Sequence, residues 1–274
     1  MGGGELHLDG PLFDLPAGAV RVALGGEFRK ESYHQVFGSS AFASDTTAAK
    51  RTVTSVYGEL AVPLFSPANR RPGFEVLQLS AAARYDRYSN TGSSFDPKVG
   101  VLWSPARGLR LRASYSTSFR APLLSETTGF YGGILDPAHF FYADPSQAPA
   151  GSILLFLQGS NPNVKPETSR NWTVGAEWSP EFASGLKLTA NYYSIRYSNR
   201  IGMPTSVVTI VGNPAYASIV QFNPDPTALA AVMAGAQFLE DFTGPGFSNG
   251  HATADDVFVV LDDRVTNTAF TATS

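Results

Sequence analysis

Asn161-Pro-Asn-Val-Lys-Pro-Glu-Thr-Ser-Arg-Asn-Trp-Thr-Val-Gly-Ala-Glu-Trp-Ser-Pro180 is the stretch on which the fold turns. A proline-locked lead-in runs into a strictly alternating segment. Trp172, Val174, Ala176 and Trp178 point one way, and Asn171, Thr173, Gly175 and Glu177 the other. A period of two describes a β-strand with two different faces. What those faces look at is settled by the rest of the chain.

Working outward, the same alternation recurs. Leu109, Leu111, Ala113, Tyr115, Thr117 and Phe119 oppose Arg110, Arg112, Ser114, Ser116, Ser118 and Arg120. Further alternating strands are expected at Gly18–Lys30, Arg51–Leu64, Leu77–Asp86, Phe95–Ser104 and from Leu186, with an eighth at Val257–Val265. Several exceed ten residues, whereas strands of globular proteins have a mode of about 5–6. Long strands with an apolar face containing small residues (Ala81, Ala83, Ala113) and a polar, mixed-charge face suit a membrane barrel. The fold class expected is therefore all-β: about eight antiparallel transmembrane strands of a larger barrel. A soluble sandwich is the alternative.

The connections alternate in length, except that the tight turn at Ser89–Ser93 falls on the long-loop side. Long joins are expected at Glu31–Lys50, Ala121–Thr168 and Ile201–Ala254, and short ones at Phe65–Gly73, Ser104–Gly108 and Ser179–Gly185. Gly100-Val-Leu-Trp103-Ser-Pro followed by Gly108-Leu-Arg-Leu is echoed by Gly175-Ala-Glu-Trp178-Ser-Pro followed by Gly185-Leu-Lys-Leu. The repeat places Trp103 and Trp178 at one membrane rim, as an aromatic girdle requires. Beyond Tyr192 the apolar parity switches to Tyr193, Ile195 and Tyr197, which a bulge or a strand leaving the bilayer would explain. Asp225-Pro226 reads as the cap and first residue of a short loop helix sharing Leu229, Val232 and Met233 on one face.

Composition narrows the function classes. The 274 residues carry a net charge of -3, no cysteine and only 16% charged residues, against roughly 25% in soluble domains. Nucleic-acid binding, which needs a basic footprint, is excluded. No apolar run approaches the length of a membrane helix. The four histidines (His7, His34, His139, His251) lack metal-ligand spacing, and no nucleotide or nucleophile-elbow motif occurs. Asp255–Asp256 and Asp262–Asp263 are weak cation candidates, read first as solvated carboxylates; no cofactor is expected. An outer-membrane barrel enzyme would need partners for His139 or His251 that the sequence does not offer. Arg110, Arg112, Arg120 and Glu177 are read as a polar stripe lining a wet lumen.

Two motifs carry a family resemblance. Phe119-Arg120-Ala121-Pro122 and Asn161-Pro162-Asn-Val-Lys165-Pro166-Glu167-Thr168, in this order with a long loop between, resemble the TonB-dependent outer-membrane receptors. The resemblance implies a bacterial outer-membrane location with lipid as a partner. It also implies a small-molecule ligand, most commonly a ferric siderophore, and an inner-membrane energy-transducing complex as partner of the parent protein. Such receptors have 22 strands around a plugged lumen. This sequence shows no plug, coupling box, signal peptide or terminal aromatic strand, so residues 1–274 are expected to be a partial receptor barrel, lacking the plug and the C-terminal strands.

Overall fold

Nine antiparallel strands form the main sheet of the computed structural model, which describes residues 2–39, 42–183, 185–204, 209–245 and 250–273, with side chains outside 37–45 and 268–273. In sheet order they are β1 (Gly2–Leu15), β2 (Gly18–Ser39), β3 (Phe42–Phe65), β4 (Val76–Tyr88), β5 (Gly92–Ala106), β6 (Leu109–Arg120), β9 (Glu167–Trp178), β10 (Leu188–Gly202) and β14 (Thr266–Thr273). The sheet is open, with β1 and β14 at its edges.

Alternation fixes the register. Tyr115 pairs with both Val99 and Trp172, Ala113 with Val101 and Val174, and Val174 with Tyr192, so one apolar face runs unbroken across four strands. Leu24, Val56, Phe95, Trp172 and Val174 on that face are all exposed. Short turns at Pro16–Ala17, 66–75, Arg107–Gly108 and 179–187 gather at one end of the sheet, and long excursions leave from the other. These are the turn end and the loop end below.

The loops build a second sheet, absent from the expectations above. It contains β7 (Tyr131–Pro137), β8 (Ile153–Gly159), β11 (Val220–Phe222), β12 (Phe238–Asp241) and β13 (Val257–Arg264), ordered β11-β13-β8-β7-β12. β8 pairs parallel with β13, and β7 parallel with β12. Ile153-Leu-Leu-Phe-Leu157 and Val257-Phe-Val-Val-Leu261 are continuous apolar runs because both of their faces are covered. Leu154, Phe156, Val259 and Leu261 enter one core with Phe141, Tyr142 and Val211, while Leu155, Leu157 and Val260 enter another under Leu229, Val232 and Met233 of helix α2 (Pro226–Gly235). Asp225 caps α2 by accepting from the Thr227 amide, as expected. A second helix, α1 (Leu124–Thr128), follows β6.

Four expectations are corrected. The main sheet has nine strands rather than eight, because Gly2–Leu15 pairs with β2 from Gly2↔Lys30 to Leu15↔Gly18. Its glycines and Pro11 left only Glu5–Asp9 visibly alternating. Val257–Arg264 lies in the loop sheet, and Thr266–Thr273 takes its expected place beside β10. The Glu31–Lys50 connection is largely strand, since β2 and β3 remain paired from Glu31↔Arg51 out to Ser39↔Phe42. Finally, the β9–β10 register is unbroken from Leu188↔Trp178 to Ser198↔Thr168, so no bulge lies at Tyr192–Tyr193. The irregularity falls later, between Tyr197 and Arg200 on the β14 side, where Asn199 has φ 57°. Tyr193, Ile195 and Tyr197 consequently join the polar face.

Candidate functional site

The polar face of the main sheet is an ordered wall of charge. On β2–β4, Glu27 and Glu31 bracket Arg29, Arg51 meets Glu31 at 2.5 Å, and Arg84 spans Glu27 at 3.0 Å and Asp86 at 2.9 Å. Ser55 donates to Asp86 and accepts from Arg84. Such a network satisfies carboxylates that cross-strand spacing brings together anyway.

Two glycines let long side chains cross a whole strand. Tyr57 lies over Gly25 of β2, where a Cβ would sit 2.2 Å from the ring, and reaches Glu5 on β1 at 2.5 Å. Arg112 lies over Gly175 of β9, where a Cβ would meet its Nε at 2.6 Å, and reaches Asn191 on β10 at 2.6 Å. Arg112 also donates to Glu177 at 3.1 Å, and Lys187 approaches the other oxygen of Glu177 at 3.3 Å.

The expected stripe on β6 therefore divides. Arg110 pairs in register with Glu177, and Arg112 is bonded to that carboxylate, both at the turn end. Arg120 lies eight residues away, about 27 Å along a strand, with Ser114, Ser116 and Ser118 between. At the turn end Trp103 and Trp178 face the same way, opposite Leu111 and Leu109 of β6. Trp103 donates to the Gly73 carbonyl at 2.9 Å and packs on Phe74, and Trp178 contacts Phe182.

The two sequence motifs meet at the loop end. Arg120 faces Glu167 across the β6–β9 ladder and bonds it at 2.8 Å, while its guanidinium also holds Glu126 of α1 at 3.1 and 3.2 Å. Glu126 accepts from the Leu123 amide and Glu167 from the Ile201 amide. Phe119 pairs with Thr168 and packs on Tyr88. Ala121 and Pro122 are buried, and Arg51 donates to the Pro122 carbonyl at 2.6 Å. Asn161 receives the Asn163 amide, and its own amide goes to Glu126. Pro162 and Pro166 flank Lys165, whose amide and carbonyl are both bonded by the Asn267 side chain at 2.7 and 2.8 Å. The motif residues thus form a clamp that fixes where two loops leave the strands.

Sequence reasoning missed Arg51, Glu31 and Asn267 as its partners. Glu31 opened the supposed Glu31–Lys50 loop, and Arg51 stood at the start of the strand expected after it. The loop carboxylates have structural work: Asp256 caps a 3-10 turn through Thr253, and Asp262 binds Arg264 at 2.7 Å. Hydrogen bonds from the Ser146 hydroxyl and amide hold Asp144 below the usual carboxylate range.

Comparison with known proteins agrees with this architecture. The sequence model of the TonB dependent receptor-like β-barrel family matches residues 2–234. The chain is 29% identical over 163 residues to the heme/hemopexin utilization protein C of Haemophilus influenzae, covering 56% of this chain and 20% of that one. It is 28% identical over 136 residues to the iron-regulated outer membrane virulence protein of Vibrio cholerae, covering 49% and 18%. Among solved structures, a variant of the ferric enterobactin receptor of Pseudomonas aeruginosa with enterobactin bound superposes with a TM-score of 0.57 at 17% identity, over 99% of this chain and 32% of that one. The siderophore receptor PirA of Acinetobacter baumannii gives 0.55 at 12% identity, over 99% and 33%. The aligned part spans about a fifth of the curated relatives and about a third of the solved chains. An open section of antiparallel transmembrane barrel, with one exposed apolar face and one charged face, is what these residues build, and the chain belongs to the TonB-dependent receptor β-barrel family.

Proposed function

We propose that the chain forms nine strands of the wall of an outer-membrane receptor that takes up an iron-bearing small molecule, a ferric siderophore or heme. The observation that carries this reading is the two-faced main sheet. An apolar face as exposed as this one would be an association surface in water; against lipid it is at rest. The polar face, with Arg110, Arg112, Arg120 and Glu177, then lines the lumen, and Trp103 and Trp178 mark the rim at the turn end. The free edges of β1 and β14 call for further strands, because lipid leaves no partner for unpaired backbone groups. The loop sheet stands on the extracellular side, over the lumen. Uptake against a gradient requires energy from an inner-membrane complex.

The ligand class is supported by the names of the relatives, which include heme and siderophore receptors. The test is growth of a strain deleted for the gene, with heme or a ferric siderophore as the only iron source. Loss of growth on one of these and its return on complementation is the expected result. Undiminished growth on both would overturn the ligand class.

A further inference from the structure

Of the ladders that join β3 through β10, one stops short of the loop end. β3 and β4 stay paired to Val53↔Tyr88, β4 and β5 to Tyr88↔Gly92, β6 and β9 to Arg120↔Glu167, and β9 and β10 to Thr168↔Ser198. The β5–β6 ladder ends at Lys98↔Ser116, although β5 extends to Gly92 and β6 to Arg120. Continued in register, Thr117 would face Pro97 and Arg120 would face Ser94. Each strand keeps its partner on the other side, from Pro97↔Ala83 to Gly92↔Tyr88 and from Thr117↔Arg170 to Arg120↔Glu167. Only the seam between them is open.

The cause is in the sequence. Pro97 has no N–H to give, and proline inside a sheet removes a ladder hydrogen bond. Side chains cross the gap instead. Asp96 is opposite Arg84 of the charged wall, yet its carboxylate accepts from Thr117 of the apolar face at 3.1 Å and from Ser94 at 3.0 Å. Phe119 of the apolar face meets Tyr88, which shares a face with Asp86, at 5.8 Å. Two contacts thus join residues of opposite faces at this seam. A cleft of about 770 Å³ opens along it, with Ser93, Ser94, Phe95 and Asp96 on one wall and Thr117, Ser118 and Phe119 on the other, and extends over the loop-end residues of β9 and β10. Behind it, on the polar face, Asn171 donates to Ser116 and Ser118.

Its height makes the seam costly. Counted from Trp103 at the turn-end rim, Pro97 is the seventh residue of the strand and Phe95 the ninth, and a tilted strand crosses a bilayer in about 9–11. The gap lies level with the leaflet at the loop end. Irregular backbone at membrane depth is tolerated where it is buried in protein or lines a water-filled cavity. A local rule broken at one seam, with the ladders on both sides intact, marks a functional site.

We propose that the open β5–β6 seam is a lateral portal that takes an acyl-tailed ferric chelate from the leaflet at the loop end. The tail stays in lipid against Phe95 and Phe119, and hydroxyl or amide donors of the chelate enter toward Asp96 and the serines. The inference rests on the membrane orientation and ligand class proposed above, and narrows that class to an amphiphile. The chemistry of the seam selects the occupant. Phe95, which is 64% exposed, and Phe119 make an apolar lip, and Ser94, Asp96, Thr117 and Ser118 make a polar throat. A wholly hydrophilic chelate would leave the lip uncovered, and a lipid phosphate would meet the Asp96 carboxylate.

The test uses the chain in phosphatidylcholine vesicles with brominated acyl chains, and native mass spectrometry from detergent with the ferric complex of desferrioxamine B, plain or carrying a dodecanoyl chain, as probe. Tryptophan quenching by the bromines reports the bilayer position, and retention of the probe reports the portal. Wild type is expected to be quenched and to retain the acylated chelate over the plain one. The protein has no cysteine, so Asp96→Cys/Thr117→Cys carries a single disulfide, which closes the seam on oxidation. Oxidised, it should retain roughly tenfold less acylated chelate than the same variant reduced, the equivalent of about one net hydrogen bond. Val101→Cys/Ala113→Cys, a pair inside the intact part of the ladder, should show no such difference. Pro97→Ala supplies the missing donor without a crosslink, and should lower retention while slowing amide exchange at Thr117–Phe119. Equal retention of both chelates by wild type, indifference of the Asp96→Cys/Thr117→Cys variant to oxidation, or an equal oxidation effect in the control pair would each overturn the portal. So would unchanged retention in Pro97→Ala once its exchange has slowed. Retention of neither chelate, with quenching intact, overturns the portal and leaves the ligand class to the growth test. Absence of quenching in wild type would overturn the membrane orientation and this portal with it.

Discussion

The main sheet and the loop sheet are made of the same kinds of residue turned inside out. Across the main sheet, leucines, valines and tryptophans are exposed and arginines and glutamates meet one another on the opposite face. In the loop sheet Leu135, Leu154, Leu155, Val259 and Leu261 are wholly enclosed. Of the fully buried apolar side chains among the described residues, only Val20, Val53 and Ile201 belong to main-sheet strands. A sheet meant for lipid draws its cohesion from long hydrogen-bonded ladders and leaves apolar burial to the bilayer. A sheet in water must supply its own core. Each region should therefore fail under a different insult.

The harshest is a charge in the loop core. Leu261→Asp places a carboxylate where the native side chain is wholly enclosed and should cost more than about 4 kcal/mol, the range of unpaired buried charge. Amide exchange should rise across β7, β8 and β13 while the β2–β6 ladders stay protected. Loss of protection in both sheets together would mean that they form one cooperative unit. The reciprocal insult is Val174→Lys on the exposed apolar face. In detergent solution it touches little, but at mid-bilayer it should cost about 2–4 kcal/mol. Refolding into vesicles, compared with refolding into short-chain detergent, measures the difference. Equal stability in the two media would contradict lipid contact at Val174.

How far each region was legible follows from the same contrast. Period two is a strong signal wherever two solvents bound one strand, so Leu109–Arg120 matches β6 at both ends and β9 contains the whole of Asn171–Trp178. Val257–Leu261 carries no period, because both of its faces are covered, and the sequence offers no mark to separate it from a lipid-facing run. β1 was hidden by Gly2–Gly4 and Pro11, whose backbone pairs with β2 without side chains to show a face. Tyr193, Ile195 and Tyr197 misled for a different reason: they put apolar side chains on the polar face without any change of register. The clamp residues Arg120 and Glu167 were visible as motif members, yet their pairing needed the β6–β9 register.

The clamp joins the two regions, and Glu167→Gln weakens that joint. Glutamine can still accept from the Ile201 amide but no longer carries the charge facing Arg120. A hydrogen bond to a charged group is worth about 1.5–3 kcal/mol, and the partial exposure of Arg120 places the loss at about 2 or below. Faster exchange at Asn161–Val164 and in α1, with the interior of β9 unchanged, is the expected pattern. An undisturbed loop sheet would show that Asn267 and Arg51 hold it without this pair.

The smallest effect concerns Asp136, near the end of β7. Ile134, two residues before it, packs against the core that holds Phe156, so Asp136 points toward apolar side chains, and among the described residues its Oδ1 has no hydrogen-bond partner. Burial pushes its carboxyl above the ordinary value, against a smaller downward pull from His139. A raised carboxyl means that the folded state holds the proton more tightly than the unfolded chain does. The stability linked to it is fully present below the ordinary Asp value and is lost as pH climbs through the higher folded value. Asp136→Asn keeps the shape and removes the charge, so it should raise the melting temperature of the loop sheet at neutral pH, by an amount equivalent to about 1 kcal/mol. At acid pH the variant and the wild type should melt together. A variant stabilised equally at both pH values would show that packing sets the difference and that ionisation of Asp136 does not. A destabilised variant at neutral pH would mean that the carboxylate has a partner in solution.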